Sequence, residues 1–403
     1  MNALQSAWIV DGIRTPIGRY GRSLATVRPD DLAAHVIAAL AERQPEATAR
    51  LDQVIFGATN QAGEDNRNVA RMATLLAGLP YEVPAVTVNR LCGSGLESIT
   101  DAAMRIAVGD ADVVIAGGVE SMSRAPFSFR KTEKGFDRTP PEIFDTTIGW
   151  RYPNPKMQDR FTLDSMGMTA ENVAEKWGIT REEQDAFALH SQMKAKDAIE
   201  AGRFTAEIVP VTIPQRRGDA VVVDADESPR PTSTMDGLAR LKPVFKKGGT
   251  VTAGNSSPVN DGAAACLVMS ERMVKELGLE PIARVVSFAS AGLHPNVMGE
   301  GPIPSTKKAL GRAGWSVDDL DLVEMNEAFA AQSVACLRGL ELDPSIVNVN
   351  GGALVLGHPI GASGCRIVVT LAHEMLRRPA AKKTLATLCI GVGQGLALCL
   401  DRG

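Results

Sequence analysis

The sequence has no long apolar run and little excess charge of either sign. Its 403 residues contain no uncharged apolar stretch near the roughly 18 residues that a membrane-spanning helix needs. The first residues, from Met1 to Gln5, lack the basic start and apolar core of a signal peptide, so we expect a cytoplasmic protein. The net charge is −4, from 43 basic and 47 acidic residues, which argues against bulk attraction to nucleic acid.

Cysteine and histidine are also scarce. None of the six cysteines forms a C-x-x-C pair, and none has a histidine at zinc-finger spacing, so we expect no metal site. A reducing cytoplasm argues against a disulfide scaffold as well. The question is therefore which cysteine lies where a thiolate is stabilised. The six are Cys92, Cys266, Cys336, Cys365, Cys389 and Cys399.

The overall composition is that of a folded chain. Hydrophobic residues make up 44% and charged residues 22%, which excludes a mainly disordered chain and allows a sizeable core. The length suggests two or three domains.

Strand and helix patterns alternate in both halves of the chain. In the N-terminal half we predict strands over 52–56, 85–89 and 111–116, with a break at Gly117-Gly118, and helices over 68–76 and 96–106. In the C-terminal half we predict strands over 320–326, 346–350, 383–390 and 396–400, and a helix over 327–340. This alternation predicts a duplicated α/β unit with parallel strands joined by crossover helices.

A different stretch, from about residue 121 to 249, separates the halves. It is polar and contains proline, and its one clear helix is predicted over 181–201. A long excursion of this kind is usually functional. Its basic end is either a solvated face or a patch that meets the phosphates of a nucleotide-bearing ligand. The basic residues are Arg230, Arg240, Lys242, Lys246 and Lys247.

Cys92 is the first candidate for chemistry. It follows a predicted strand and opens a predicted helix, and Gly93 and Gly95 permit a tight turn. Unpaired N–H groups and the positive helix end are expected to lower the pKa of a thiol there. The alternative is a small buried apolar cysteine. The apolar surroundings of Cys266, Cys336 and Cys399 favour that alternative for them.

Three more candidates follow predicted strands. His358 lies in a glycine-rich connection and is a possible base near neutral pH. Cys389 precedes Gly391, whose N–H can receive an oxyanion, although a core strand cysteine is an ordinary explanation. Asn326 is explained equally well as a helix cap. Because open α/β sheets bind ligands at the carboxyl ends of strands, we expect one site containing Cys92, His358, Cys389 and Asn326.

Four segments around these candidates, taken together, resemble the thiolases. They are Asn89-Arg-Leu-Cys-Gly-Ser-Gly95, Asn326-Glu-Ala-Phe329, Gly352-Ala-Leu-Val-Leu-Gly-His-Pro-Ile-Gly-Ala-Ser-Gly364 and Cys389-Ile-Gly-Val-Gly-Gln-Gly395. Gly117-Gly-Val-Glu-Ser-Met122 and Thr252-Ala-Gly-Asn-Ser-Ser257 also look like the family. The resemblance runs in order from Arg14-Thr-Pro16 to the C-terminus.

The resemblance implies a fold and a domain plan. The fold is α/β, with duplicated α/β/α/β/α halves and an inserted loop domain. The N-terminal half would comprise residues 1–120 and 250–274, the loop domain that covers coenzyme A residues 121–249, and the C-terminal half residues 275–403.

It also implies roles for the four candidates. Cys92 would attack the keto carbon of a 3-oxoacyl-CoA and hold the shortened acyl group as a thioester. His358 would deprotonate Cys92, Asn326 would hold the water of an oxyanion site, and Cys389 would exchange the proton at the α-carbon. The N–H groups of Cys92 and Gly391 would form a second oxyanion hole. The same chemistry run in reverse is a Claisen condensation.

The implied substrate contacts are less sharply defined. Met166, Ala328 and Phe329 match pocket segments of the family, Ser257 the contact with the pantetheine arm, and Arg230 a nucleotide contact. The likeness is strongest to the 3-oxoadipyl-CoA thiolase group, on segments 60–72 and 145–151, so Arg151 is a candidate partner for a distal carboxylate. Ser165 stands where biosynthetic acetoacetyl-CoA thiolases usually have histidine, which weakens that alternative.

Other functions stay open at this point. They are an acetoacetyl-CoA thiolase, a fatty-acid β-oxidation thiolase, a β-ketoacyl synthase, a non-catalytic lipid-carrying relative, and a thiolase regulated by a disulfide. A synthase normally pairs its cysteine with two histidines or with histidine and asparagine, so Cys389 favours a thiolase. We expect acyl-CoA and CoA as substrates, no prosthetic group, no membrane or nucleic-acid partner, and a homodimer or homotetramer.

Overall fold

The structure, a computed structural model, describes residues 4–136 and 138–403; the expectation about the first residues therefore falls partly outside it. Its strands are β1 (Ala7–Arg14), β2 (Gly18–Arg19), β3 (Gln53–Gly57), β4 (Ala85–Val88), β5 (Val113–Ser121), β6 (Phe127–Phe129), β7 (Ile143–Asp145), β8 (Val211–Ile213), β9 (Val221–Val223), β10 (Asn260–Ser270), β11 (Ala283–Gly292), β12 (Leu322–Met325), β13 (Lys383–Ile390) and β14 (Gln394–Asp401). Its α-helices are α1 (Pro29–Arg43), α2 (Pro45–Thr48), α3 (Val69–Leu76), α4 (Ser94–Val108), α5 (Pro155–Gln158), α6 (Met166–Trp177), α7 (Arg181–Glu200), α8 (Met235–Ala239), α9 (Glu271–Glu276), α10 (Pro302–Ala313), α11 (Ala330–Leu340), α12 (Ala353–Leu356) and α13 (Ile360–Arg377).

One mixed sheet forms the centre of the molecule. Its order is β12–β13–β14–β11–β1–β10–β5–β3–β4, and β2 pairs with β10. The strands β3, β4 and β5 run parallel, as do β12 and β13. The strands between these two blocks pair antiparallel. The prediction of parallel pairing is therefore right for the two outer blocks and wrong for the middle of the sheet, where strands outside the helix-linked pattern join the halves.

Helices cover both faces of this sheet. Successive side chains on a strand point to opposite faces, so Ile55 and Phe56 belong to different clusters. Helices α4 and α13 lie on one face, where their apolar side chains share a core with both halves. On the other face, α1 and α3 cover the N-terminal strands, and α10 and α11 cover the C-terminal strands.

The starts of α4 and α13 touch backbone to backbone. A Cβ added at Gly95 would lie 2.7 Å from the nitrogen of Cys365, and one added at Gly364 would lie 2.3 Å from the nitrogen of Leu96. Only glycine permits so close an approach. The crossing holds the helix that follows Cys92 against the helix that follows His358.

Several predicted boundaries differ from the structure. β5 continues through Gly117-Gly118, because the missing Cβ at Gly117 leaves room for the ring of Phe56, 2.5 Å from where that atom would lie. The strand predicted over 346–350 is absent from the described structure, apart from a single bridge between Val323 and Val347.

The middle segment contains β6 to β9 and α5 to α8. Its predicted helix is confirmed as α7, which begins with a capping box between Thr180 and Glu183. The segment is tied to the sheet by the buried Arg14, whose guanidinium lies 2.7 Å from both Glu207 and Asp226. The exact domain boundaries remain a prediction. Across the part of the chain that is described, no helix has the length and apolar character to cross a membrane.

Candidate active site

Cys92 lies in the turn between β4 and α4. Leu91 before it adopts a left-handed conformation with φ +49°, and α4 begins two residues after Cys92. Among the six cysteines Cys92 alone is partly exposed, and the other five are buried. Its sulfur accepts hydrogen bonds from the N–H groups of Cys92 itself and of Gly391. The most accessible thiol of the chain therefore sits between two convergent backbone donors.

The expectation of a lowered thiol pKa is wrong. Desolvation raises the pKa of Cys92 to about 11, and the N–H groups of Gly391 and Cys92 offset only part of that rise. The negative charge of Glu120 raises the pKa further. Cys92 is therefore protonated at neutral pH, and forming its thiolate requires a base.

His358 is the buried base next to this region. Its Nδ1 lies 2.6 Å from the hydroxyl of Ser363, which in turn lies 3.0 Å from the carbonyl of Pro359. When the hydroxyl donates to that carbonyl, Nδ1–H donates to the hydroxyl, and Nε2 keeps its lone pair. The backbone N–H of His358 donates to Asn260 at 2.9 Å. The ring is thus held in the tautomer that can accept a proton at Nε2.

The charge state of His358 follows from its surroundings. Burial, aided by the positive charge of Arg366, lowers the pKa of the imidazole to about 4. The ring is therefore neutral at physiological pH and can accept a proton from a thiol.

Asn326 follows β12 and faces His358. Its Nδ2 lies 3.5 Å from Nε2 of His358, and its Oδ1 has no hydrogen-bond partner among the described residues. The interpretation of Asn326 as a helix cap is wrong, because α11 begins at Ala330 and its N-cap is Phe329. Glu327 is buried and accepts hydrogen bonds from Ser191 and Asn348, both at 2.8 Å, in place of a first helical turn.

Cys389 is the second thiol of the site. It is buried at the end of β13, and burial raises its pKa well above the ordinary value, with the Cys92 charge adding to the rise. A Cβ added at Gly391 would lie 3.4 Å from Leu91 and 3.6 Å from the sulfur of Met166. The loop after Cys389 therefore lies against both the Cys92 turn and the start of α6.

These contacts bring the four predicted residues to one region. Cys92 and Cys389 interact electrostatically, and Gly391 binds the Cys92 sulfur. Asn326 contacts His358 through its side chain, while its backbone N–H donates to Thr387, two residues before Cys389. A neutral base, a thiol and convergent N–H groups are the parts that acyl transfer through a thioester requires, and Cys389 adds a second thiol to them.

Four of the predicted substrate residues border the same region. Met166 is the first residue of α6 and packs with Ala328, Phe329 and Cys389. The N–H of Ser257 donates to the carbonyl of Ala328 at 2.9 Å. Ser165, at the position of the departure from biosynthetic enzymes, caps α6 by accepting from Met168 at 3.3 Å.

Arg230 and Arg151 are placed differently. Arg230 is exposed, and its backbone N–H donates to Gln192 at 2.9 Å. Arg151 is half-buried and donates to the carbonyl of Thr146 at 3.0 Å. Its charge also acts on Asp65, whose pKa is raised to about 6 by desolvation. Within the described residues, no hydrogen bond or ion pair joins either guanidinium to the four central residues.

Three residues that the sequence prediction did not select support the site. They are Ser363 and Asn260, which hold His358, and Glu120, whose charge acts on Cys92. Glu120 had a usable signal, since it is an acid within an apolar strand. Ser363 lay within the segment 352–364 that resembles the family, but Asn260 had no signal, because small polar residues are common at strand ends.

Comparison with known proteins gives full-length matches. The family models described as thiolase, N-terminal domain, and thiolase, C-terminal domain, match residues 7–272 and 279–402. The chain is 54% identical over 402 residues to a beta-ketoadipyl-CoA thiolase of Acinetobacter baylyi, covering 99% of this chain and 100% of that protein. It is 53% identical to the 3-oxoadipyl-CoA/3-oxo-5,6-dehydrosuberyl-CoA thiolase of Escherichia coli, over the same shares. A crystal structure of the Bacillus anthracis acetyl-CoA acetyltransferase matches with a TM-score of 0.93 at 44% identity, covering 100% of both chains, which confirms the predicted fold.

Proposed function

Because the chain belongs to the thiolase family of acyltransferases, we propose that it cleaves 3-oxoadipyl-CoA, or a closely related 3-oxoacyl-CoA, with free CoA. The products are acetyl-CoA and an acyl-CoA shortened by two carbons. The observation that carries the proposal is the pairing of a partly exposed Cys92, bound by the N–H of Gly391, with a second thiol, Cys389. A β-ketoacyl synthase normally pairs its cysteine with two histidines or with histidine and asparagine, so the second thiol favours a thiolase.

The first step forms the bond between Cys92 and the substrate. The sulfur attacks the keto carbon while Nε2 of His358 takes the thiol proton. The thiol pKa of about 11 and the imidazole pKa of about 4 support this order, since they leave both groups neutral until the carbon–sulfur bond begins to form. Transfer in concert with attack avoids a separated ion pair in a buried site.

The second step breaks the carbon–carbon bond. Electrons of that bond move onto the departing acetyl-CoA as an enolate, and its oxygen lies near His358 and a water held by Asn326. The partnerless Oδ1 of Asn326 supports this role, because a buried amide oxygen ordinarily has a donor. Cys389 then gives a proton to the α-carbon and releases acetyl-CoA.

The third step transfers the acyl group. A second CoA, whose thiol proton goes to the Cys389 thiolate left by the second step, attacks the Cys92 thioester. The N–H groups of Cys92 and Gly391 bind the oxyanion of the tetrahedral intermediate, as their present contact with the sulfur supports. One donor of this type is worth about 10²–10³-fold in rate. Departure of the Cys92 thiolate, which takes back the proton held by His358, completes the cycle.

The choice of a dicarboxylic acyl chain rests on the relatives rather than on the site. Two of the similar proteins are named for beta-ketoadipyl-CoA or 3-oxoadipyl-CoA. An adipyl chain carries a second carboxylate, for which Arg151 is our proposed partner. Arg151 is half-buried and makes one hydrogen bond to a carbonyl, so its guanidinium retains unused donors. The acetyl-CoA acetyltransferase match supports acetoacetyl-CoA as the alternative substrate.

CoA-dependent thiolysis tests this proposal. The rates with 3-oxoadipyl-CoA, acetoacetyl-CoA and a long-chain 3-oxoacyl-CoA are compared at equal concentrations, with Cys92→Ala as the inactive control. The highest kcat/KM is expected for 3-oxoadipyl-CoA. A preference for another chain would reject the substrate and retain the reaction. No thiolysis of any of the three would reject the reaction itself.

We also propose that the chain forms a homodimer or homotetramer. Support comes from the β6–β7 hairpin, where Phe127, Phe129 and Ile143 are each more than 60% exposed (73%, 64% and 63%). Sedimentation velocity of the wild type and of Phe127→Ser tests this. A monomeric wild type would refute it.

A further inference from the structure

Glu120 is a buried acid that the proposed mechanism does not use. It lies near the end of β5, two strands from the central strand β1, and is 1% exposed. We propose that Glu120 is a positioning residue of the active site, whose carboxylate fixes the His358 loop to the loop after β3, which the Cys92 turn contacts through Asn89, and whose charge acts on the thiol. This inference rests on the proposed thiolase mechanism and goes beyond it.

The carboxylate is surrounded by hydrogen-bond donors. Oε2 accepts from the N–H of Thr59 at 3.1 Å, the hydroxyl of Thr59 at 2.5 Å and the N–H of Gly361 at 2.9 Å. Oε1 accepts from the N–H of Asn60 at 3.1 Å. Four donors and no acceptor fit an ionised carboxylate. One side chain thus joins the loop after β3 to the start of α13.

The contact with Gly361 connects Glu120 to the turn that positions His358. It is three residues after His358 and in the first turn of α13. A Cβ there would lie 2.4 Å from the carbonyl of Val119 and 2.9 Å from Oε2 of Glu120. The backbone of β5 therefore packs directly against this turn. Ser363, which holds the imidazole, is in the same turn. A displacement of this turn therefore moves the base relative to the thiol.

The charge of Glu120 reaches the catalytic thiol. It raises the pKa of Cys92, so an ionised Glu120 keeps the resting thiol protonated. Burial raises the pKa of Glu120 itself to about 7, and the charge of Asp65 adds to that rise. The titratable groups on the elements around Glu120 include Asp65, Cys92 and His358, together with Asp261 on the paired strand β10.

Two substitutions separate position from charge. Glu120→Asp keeps the charge but shortens the side chain, so that it no longer reaches Gly361. We expect kcat to fall roughly 10- to 100-fold, since a displacement of about 1 Å costs on that order. KM should stay within about twofold, and the pH profile of Cys92 alkylation by iodoacetamide should not move.

Glu120→Gln removes the charge and keeps the length of the side chain. Its amide oxygen can still accept from Gly361, but the charge is gone. The midpoint of the alkylation profile, followed by mass spectrometry of the Cys92 peptide, should move to lower pH. This measurement needs no acyl-CoA, so it remains informative even if none of the tested substrates is cleaved.

Asp261→Asn is the matched control. Asp261 is a fully buried carboxylate on the neighbouring strand β10 that accepts from the N–H of Ser123 at 2.9 Å, and it makes no hydrogen bond to α13 among the described contacts. The midpoint of the alkylation profile should not move, and kcat should stay within about twofold of wild type. A kcat for Glu120→Asp within twofold of wild type, or an equal fall in Asp261→Asn, overturns the proposal. If Glu120→Asp does not fold, an unmoved alkylation midpoint in Glu120→Gln overturns it.

Discussion

Replacing Ser363 with alanine removes the group that orients the imidazole of His358. The hydroxyl lies 2.6 Å from Nδ1 and is itself held by the carbonyl of Pro359. In the variant, Nδ1–H is buried without an acceptor. The ring can escape that state by rotating or by moving its proton to Nε2. In the proposed mechanism, either change removes the lone pair that takes the thiol proton of Cys92.

The size of the effect follows from the cost of the unpaired donor. A buried donor left without a partner costs about 1–3 kcal/mol. If this cost falls on the productive tautomer, at roughly 1.4 kcal/mol for each tenfold in rate, kcat should fall about 5- to 150-fold. Substrate contacts are not altered, so KM should change by less than about twofold.

Steady-state thiolysis with intact protein measures this change. Ser98→Ala is the matched control, because Ser98 is also buried at a helix start and its hydroxyl donates to the carbonyls of Gly95 and Gly117 at 2.8 Å. Both variants lose one buried hydroxyl, and only Ser363→Ala should lose turnover. Equal kcat values for the two variants would refute the role of Ser363 in fixing the tautomer.

Four further results are expected. Cys92→Ala should show no acyl adduct by intact mass after incubation with acyl-CoA; an adduct on another residue would contradict its role. Cys389→Ala should still form the adduct but lose carbon–carbon bond making and breaking by about 10²–10⁴-fold, and normal condensation would refute this. Since His358 is neutral above its pKa of about 4, activity should not fall with a midpoint near 6.5 as the pH drops. A fall with that midpoint in the wild type, but not in a His358→Asn variant, would contradict this expectation. Arg151→Ala should lower kcat/KM for 3-oxoadipyl-CoA more than for acetoacetyl-CoA, and unchanged discrimination would count against that partner.

The sequence predicted the strands that position the site residues, but it did not predict the pKa of the thiol in the site. The strand before Cys92 and the strand that contains Cys389 were predicted within one residue of β4 and β13, because short apolar runs ended by glycine are local signals. The raised pKa of Cys92 was not predictable. Helix position and N–H groups are visible in sequence, whereas desolvation depends on what the other half packs against the thiol.

The misplaced helix start near residue 327 has a similar cause. The periodicity of 327–340 is helical, yet Glu327 forms hydrogen bonds with Ser191 and Asn348 from distant parts of the chain. These tertiary contacts replace the first turn and deliver Asn326 to His358. Local pattern alone could not indicate that competition.

The sheet order has a consequence for synthesis of the chain. β1 is made first, but both its neighbours come late, since Ala7 pairs with Ser270 and Trp8 with Arg284. At about 5–20 residues per second, the first strand waits roughly 10–50 s on the ribosome for its partners. During that interval its apolar side chains and its unpaired N–H and C=O groups need protection, and pairings this distant in sequence form slowly even after release. The nascent chain should therefore depend on chaperones until β10 and β11 emerge, and the active site can assemble only when β13, almost the last element, has joined the sheet.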